Sequence, residues 1–156
     1  MIRVQQEDFD VGAELAQLAS GDKDIGAVVT FTGQVRGTAD GRPISAMIIE
    51  HYPGMTEREI EIVDREAHAR FDLRKSLIVH RYGTLKPGDN IVLVITASAH
   101  REAAFDAARF LMDYLKSRAP FWKREIGPDG DRWVGAEDRD DAATSRWEKP
   151  AKDAAE

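Results

Sequence analysis

The sequence predicts an α+β domain, and three observations carry that prediction. Segments rich in β-branched residues are interrupted by two long stretches of helical periodicity, successive strands are joined by short turn signals as in hairpins, and the alternation is too irregular for a doubly wound parallel sheet. The 156 residues, 42% hydrophobic and 32% charged, suit one domain with one buried core, predicted here over residues 1–147.

The elements follow in order. Ile2 to Gln6 alternates as a short strand, and Val11, Leu15 and Leu18 mark one face of a helix that Ser20-Gly21-Asp22 ends. Gly26 to Val35 reads as a strand with Arg36 at its end. Gly37 to Pro43, with an Asp-Gly pair and a proline, predicts a turn or mobile loop before the strand Ile44 to His51. The next helix is predicted with Thr56 as N-cap, Glu59 completing a capping box and Met55 stapled to Ile60. It runs to about Phe71, with Ile60, Val63, Ala67 and Phe71 on its core face.

Ser76 to Tyr82 and Ile91 to Ala97 predict a central hairpin around the turn Lys86-Pro87-Gly88-Asp89, its second strand buried on both faces. From His100 to Ala119, Ala104, Ala108, Leu111 and Leu115 follow helical spacing, Phe105 and Met112 widen the stripe, and Pro120 stops the helix. Phe121 to Ile126 is extended, Pro128 to Asp131 turns the chain, and Arg132 to Val134 pairs back. The polar remainder predicts a short helix anchored by Trp147, then a flexible tail over 148–156.

Composition narrows the chemistry. Twenty-eight acidic against 22 basic residues give a net charge of −6, which argues against bulk-charge binding to nucleic acid. With no cysteine there is no disulfide, thiol nucleophile or zinc–thiolate site, and any sulfur chemistry needs an outside donor. His51, His68, His80 and His100 lack metal-type spacing, so no metal and no cofactor is assigned. The absence of a signal-like N-terminus or a long apolar run predicts a cytoplasmic protein that does not enter membranes.

Positive charge concentrates locally in LKSRAPFWKRE (Leu115 to Glu125). Lys116 in the last helical turn and Lys123 beyond the proline break can converge on one pocket, where mutual repulsion and burial favour a neutral amine. Ser98, His100 and Arg101 sit at the far end of that helix, where free N–H groups favour an anion. A helix of about 20 residues spans about 30 Å, so His100 and Lys116 share a small site only across two subunits. Arg36 at a strand end is a third anion-binding candidate, as a bidentate fork.

Together the blocks VVTFTGQVR (Val28 to Arg36), EHYPGMTE (Glu50 to Glu57), HRYGTLKPGD (His80 to Asp89), SAHREAAFDAARFLMDYLKSRAPFWKRE (Ser98 to Glu125) and GDRW (Gly130 to Trp133) resemble the catalytic (large) subunit family of molybdopterin synthase. The resemblance implies an α/β hammerhead fold with a mixed or antiparallel sheet and two long helices. It implies a central homodimer carrying a small ubiquitin-like sulfur carrier at each end, a heterotetramer whose carrier inserts a C-terminal Gly-Gly thiocarboxylate. The implied reaction transfers sulfur from that thiocarboxylate to cyclic pyranopterin monophosphate, forming the dithiolene of molybdopterin. The family's catalytic lysines map onto Lys116 and Lys123, while Arg36, His100 and Arg101 map onto substrate binding, the last two from the other protomer. Phe121 and Trp122 are expected to shape the wall. This chain lacks a Gly-Gly end and room for a fused carrier, so the carrier is expected as a separate protein. Two other classes compete with this one: a single-stranded RNA module built on the basic-aromatic segment, and an adaptor that binds the carrier without turnover.

Overall fold

The computed structural model describes residues 1–135 and 138–148; most of the tail predicted over 148–156 lies outside the described residues. In chain order it has β1 (Ile2–Gln5), α1 (Val11–Ala19), β2 (Ala27–Gln34), β3 (Thr38–Ala39), β4 (Arg42–Pro43), β5 (Ala46–His51) and α2 (Met55–Arg70). Then follow β6 (Lys75–Arg81), β7 (Gly83–Leu85), β8 (Asn90–Ser98), α3 (Arg101–Ser117), β9 (Phe121–Gly127), β10 (Gly130–Val134) and α4 (Asp138–Ser145). The two long helices are α2 and α3, as predicted.

The strands form two four-stranded sheets. The first has the order β1-β6-β8-β2 and is mixed, because β1 runs parallel to β6 while the other pairs are antiparallel. Its centre is the predicted β6–β8 pair, but the connection is more than a turn, since β7 leaves to join the second sheet. That sheet, β10-β9-β5-β7, is antiparallel throughout.

Alternation along β6 and β8 explains why both strands are apolar at almost every position. Leu77, Val79, Leu93 and Ile95 pack on Val11, Leu15 and Leu18 of α1. The intervening Ile78, Val92 and Val94 join Ile60, Val63, Phe110 and Leu111 of α2 and α3, with Met47, Ile49 and Leu85 of the second sheet. A strand covered on both faces must be apolar at both parities. Fully burying a side chain such as Phe110 or Ile60 contributes about 1.5–3 kcal/mol.

Three local predictions are corrected. The N-cap of α2 is Gly54 at φ 85, and Glu57, not Glu59, reaches back: its Oε2 accepts from the Gly54 N–H at 2.7 Å. Thr56 is fully buried, its Oγ1 accepting from Tyr52 N–H (2.9 Å) and donating to the Pro120 carbonyl (3.3 Å), which ties the start of α2 to the break after α3. Met55 is 53% exposed and staples nothing. Phe105 likewise points outward at 61% exposure, leaving Met112 to widen the α3 stripe.

The segment 37–43 is a small hairpin, β3–β4, turned by Asp40 (φ 50) and Gly41 (φ 74). It is pinned to the second sheet: Ser45 donates both its N–H (2.8 Å) and its hydroxyl (3.0 Å) to the Ile126 carbonyl. The Pro43 carbonyl lies so close to Gly127 that a Cβ there would meet it at 2.6 Å. Trp147 anchors the chain end as predicted, packing on Phe71 and Phe110 and donating from Nε1 to Asp113 (2.8 Å).

Candidate active site

A cavity of about 510 Å³ opens where the end of α3 meets both sheets. Pro120 ends α3 because the preceding residue cannot stay helical, and the chain turns straight into β9. Lys116, in the last turn of α3, therefore faces the same space as Lys123, the third residue of β9, which pairs with Ile49 of β5. Phe121 and Lys123 lie two apart on β9 and share one face, both lining the cavity.

Arg36, just beyond the end of β2, also lines the cavity. Its neighbour Val35 is buried and held by the Lys86–Asp89 turn: Val35 N–H donates to the Asp89 carbonyl (3.0 Å) and Gly88 N–H donates to the Val35 carbonyl (2.8 Å). The turn thus fixes where the arginine emerges. Gln34 beside it has its amide engaged by Asn90 Oδ1 at 3.1 Å. Among the described residues, Arg36, Lys116 and Lys123 form no ion pair.

Burial, and secondly the charge of Lys116, push the Lys123 ammonium below the ordinary lysine range, with Asp140 partly opposing. Its charged form is thereby disfavoured, and a proton is more easily given up than in solution. His80 completes this wall. Its ring is 4% exposed and stacks on Phe121 at 3.7 Å and 15°, and its Nδ1 donates to the Arg81 carbonyl at 2.9 Å. A carbonyl only accepts, so the neutral ring carries its proton on Nδ1 and its lone pair on Nε2. Burial first, then Lys123, pushes its pKa down to about 3.

Of the four cations in LKSRAPFWKRE, two serve packing. Arg118 bridges Glu59 (3.6 Å) and Glu66 (3.5 Å) of α2, and Arg124 pairs with Asp131 (3.1 Å) beneath Trp133. Only the two lysines reach the cavity. Trp122, on the other face of β9, is exposed beside Tyr52, so the aromatic wall is Phe121 with His80 rather than Phe121 with Trp122.

His100 and Arg101 do not join the group. Both are exposed at the start of α3, which at 17 residues is about 25 Å long, so they stand a helix length from Lys116. The N-cap is His100 with no side-chain bond. Ser98 serves packing, donating its hydroxyl to the Asp72 carbonyl at 2.6 Å. Sequence reasoning missed His80 and Glu125, which both line the cavity. Their signal was a polar residue at an inward parity in an otherwise apolar or paired strand. Among the described residues no three His, Asp or Glu side chains gather as a metal site, and no helix is long and apolar enough to cross a membrane.

The family model described as MoaE protein matches residues 4–118. A molybdopterin synthase catalytic subunit of Rhizobium meliloti is 54% identical over 148 residues, covering 94% of each chain. Among solved structures, a molybdopterin biosynthesis MoaE protein from Burkholderia ambifaria superposes with a TM-score of 0.81 at 49% identity, covering 94% of this chain and 97% of that one. A complex of subunits 1 and 2 of the molybdopterin-converting factor from Helicobacter pylori shares the fold, with a TM-score of 0.69 at 21% identity over 88% of this chain and 91% of that one.

Proposed function

The chain belongs to the MoaE family, and from that premise we propose that it is the catalytic subunit of a molybdopterin synthase, an enzyme that moves sulfur from the C-terminal thiocarboxylate of a small carrier protein onto cyclic pyranopterin monophosphate. The observation that carries this reading is the convergence of Arg36, Lys116 and Lys123 on one cavity in a chain without cysteine. Both reactants are anionic, one through its phosphate and the other through its thiocarboxylate, and the cavity offers three cations beside apolar side chains such as Leu115, Met112 and Phe121. Low dielectric strengthens each such contact.

The chemistry asks for two things. Sulfur bonds to a pterin side-chain carbon, which gives up an oxygen substituent that departs protonated; water adds to the carrier's acyl carbon through a tetrahedral oxyanion as its C–S bond breaks, and the carrier is left as a carboxylate. Lys116 is positioned to stabilise that oxyanion and the carrier's terminus. Lys123, with its weakened hold on a proton, moves protons to and from the reacting groups or holds the pterin, while Arg36 takes the phosphate. His80 stays neutral beside them and adds no further charge.

The carrier is a separate small protein. The site is completed by a second copy of this chain supplying His100 and Arg101. Two features support a homodimer: β2 is an edge strand with exposed Phe31, and Phe105 stands exposed on α3 near the same end as His100. Two such dimer halves, each with a carrier, give a heterotetramer acting in the cytoplasm.

The test mixes the protein with thiocarboxylated carrier and cyclic pyranopterin monophosphate and follows the dithiolene product by mass spectrometry. Turnover by wild type and its loss in Lys116→Ala, with the carrier still bound, is the expected result. Folded wild type that binds the carrier and makes no product would make this chain an adaptor.

A further inference from the structure

Arg132 lies on β10 directly opposite Glu125 of β9, and its guanidinium spans two acids. One nitrogen is 3.0 Å from Glu125 Oε2 and another is 3.1 Å from Asp40 Oδ2, at the tip of the β3–β4 hairpin. Glu125 is 8% exposed and lines the lysine cavity, two residues beyond Lys123 on the same face of β9. A lone carboxylate in that wall would repel a phosphate or thiocarboxylate, and the low surrounding dielectric would strengthen the repulsion. Asp40 belongs to the hairpin that begins just after Arg36 and is already tied to the end of β9 through Ser45 and Gly127.

We propose that Arg132 is a positioning residue for anion binding: by clamping Glu125 and Asp40 together it neutralises the carboxylate in the cavity wall and holds the Arg36 side of the cavity against the lysine-bearing strand. Arg132 itself does not line the lysine cavity, so it acts through Glu125 and not on the substrate. Lysine is a poor replacement, since one ammonium lacks the planar fork that meets two carboxylates at once.

The inference rests on the proposed phosphate-bearing substrate, and its test separates the two. In the reconstituted synthase, Arg132→Gln is expected to raise KM for the pterin about tenfold while kcat stays within about twofold, a split that a general loss of structure does not produce. Adding Glu125→Gln removes the unpaired carboxylate, and KM in the double variant returns to within about threefold of wild type. Asp40→Asn, which leaves Glu125 paired, raises KM only about twofold. Binding of inorganic phosphate to the isolated protein, followed by calorimetry, should show the same order without any turnover. If wild type makes no product yet phosphate binding follows this order, the functional reading fails and the role of Arg132 stands. An unchanged KM and unchanged phosphate affinity in Arg132→Gln, or a double variant no better than the single, overturns the proposal. Should Arg132→Gln not fold, the double variant alone decides: phosphate affinity near wild type supports the clamp, and a tenfold loss rejects it.

Discussion

Two cavities of nearly equal volume, about 520 and 510 Å³, lie in this fold, and they use their charges differently. The first sits between α1, α2 and the ends of β1 and β6. There Arg3 pairs with Glu14, Arg74 with Asp22 (2.7 Å), and Lys75 donates to the carbonyls of Leu18 (2.9 Å) and Ser20 (3.0 Å). His68, Ser76 and Asp64 form a chain of two hydrogen bonds at 2.8 and 2.7 Å. In the second cavity the cations Arg36, Lys116 and Lys123 face open space with no such partners among the described residues. Volume therefore does not mark a site; positive charge that the chain leaves uncommitted does.

The sharpest way to break this contrast is to remove one such cation. Lys116→Ala should lower product formation by about 10²–10³-fold, the effect of deleting a group that stabilises an oxyanion, with little change in melting temperature because the side chain is exposed. A large loss of stability with a small loss of rate would place Lys116 in the same structural class as Arg118.

The opposite outcome is expected in the first cavity. Ser76→Ala strands a mostly buried Asp64 oxygen and removes a partner of the exposed His68, and should cost about 1–3 kcal/mol in denaturant unfolding. Turnover at a temperature where the variant is folded should stay within about twofold of wild type. A tenfold loss of kcat/KM would mean that the satisfied cavity also takes part in function.

The histidines sharpen the comparison through pH. His80 stays neutral in the folded protein down to about 3, whereas in the unfolded chain it protonates near 6.5. Between those values the unfolded state binds the extra proton, so stability falls as the pH drops from 6.5 towards 3 and is fully present above 6.5. Its contribution to the slope is at most about 1.4 kcal/mol per pH unit. In His80→Phe, unfolding free energies measured from pH 4 to 6.5 should show a slope shallower by up to that amount. An unchanged slope would mean that the buried ring of His80 is not what makes stability fall in this range.

Much of this was legible in the sequence, and what was not has a common cause. The apolar runs of β6 and β8, the long helices and the convergence of Lys116 and Lys123 around Pro120 follow from local periodicity and one backbone rule. The partners of Arg118 and Arg124 depend on residues far away in sequence or on a register, so four cations looked alike when only two were free. Thr56 and Glu59 imitate a capping box at the right spacing, yet burial of Thr56 against Pro120 moves the cap to Gly54. The hairpin at 37–43 has loop-like composition because its order comes from contacts with β9 and β10, not from its own residues.

The smallest expected effect is also the most direct probe of the uncommitted charge. If Lys116 and Lys123 share one low-dielectric space, the ammonium of Lys123, followed by NMR of isotopically labelled lysine, should titrate below an ordinary lysine in wild type. Lys116→Ala removes the neighbouring charge, so the Lys123 pKa should rise, but only part of the way, because burial is the larger cause and remains. Lys116→Arg keeps the charge and should leave it in place. Asp140→Asn removes a group that favours the charged form, and should lower it further. A Lys123 that titrates like a solvent-exposed lysine in all four proteins would show that its ammonium is hydrated. The second cavity would then differ from the first only in where its charges lie, and not in how firmly they are held.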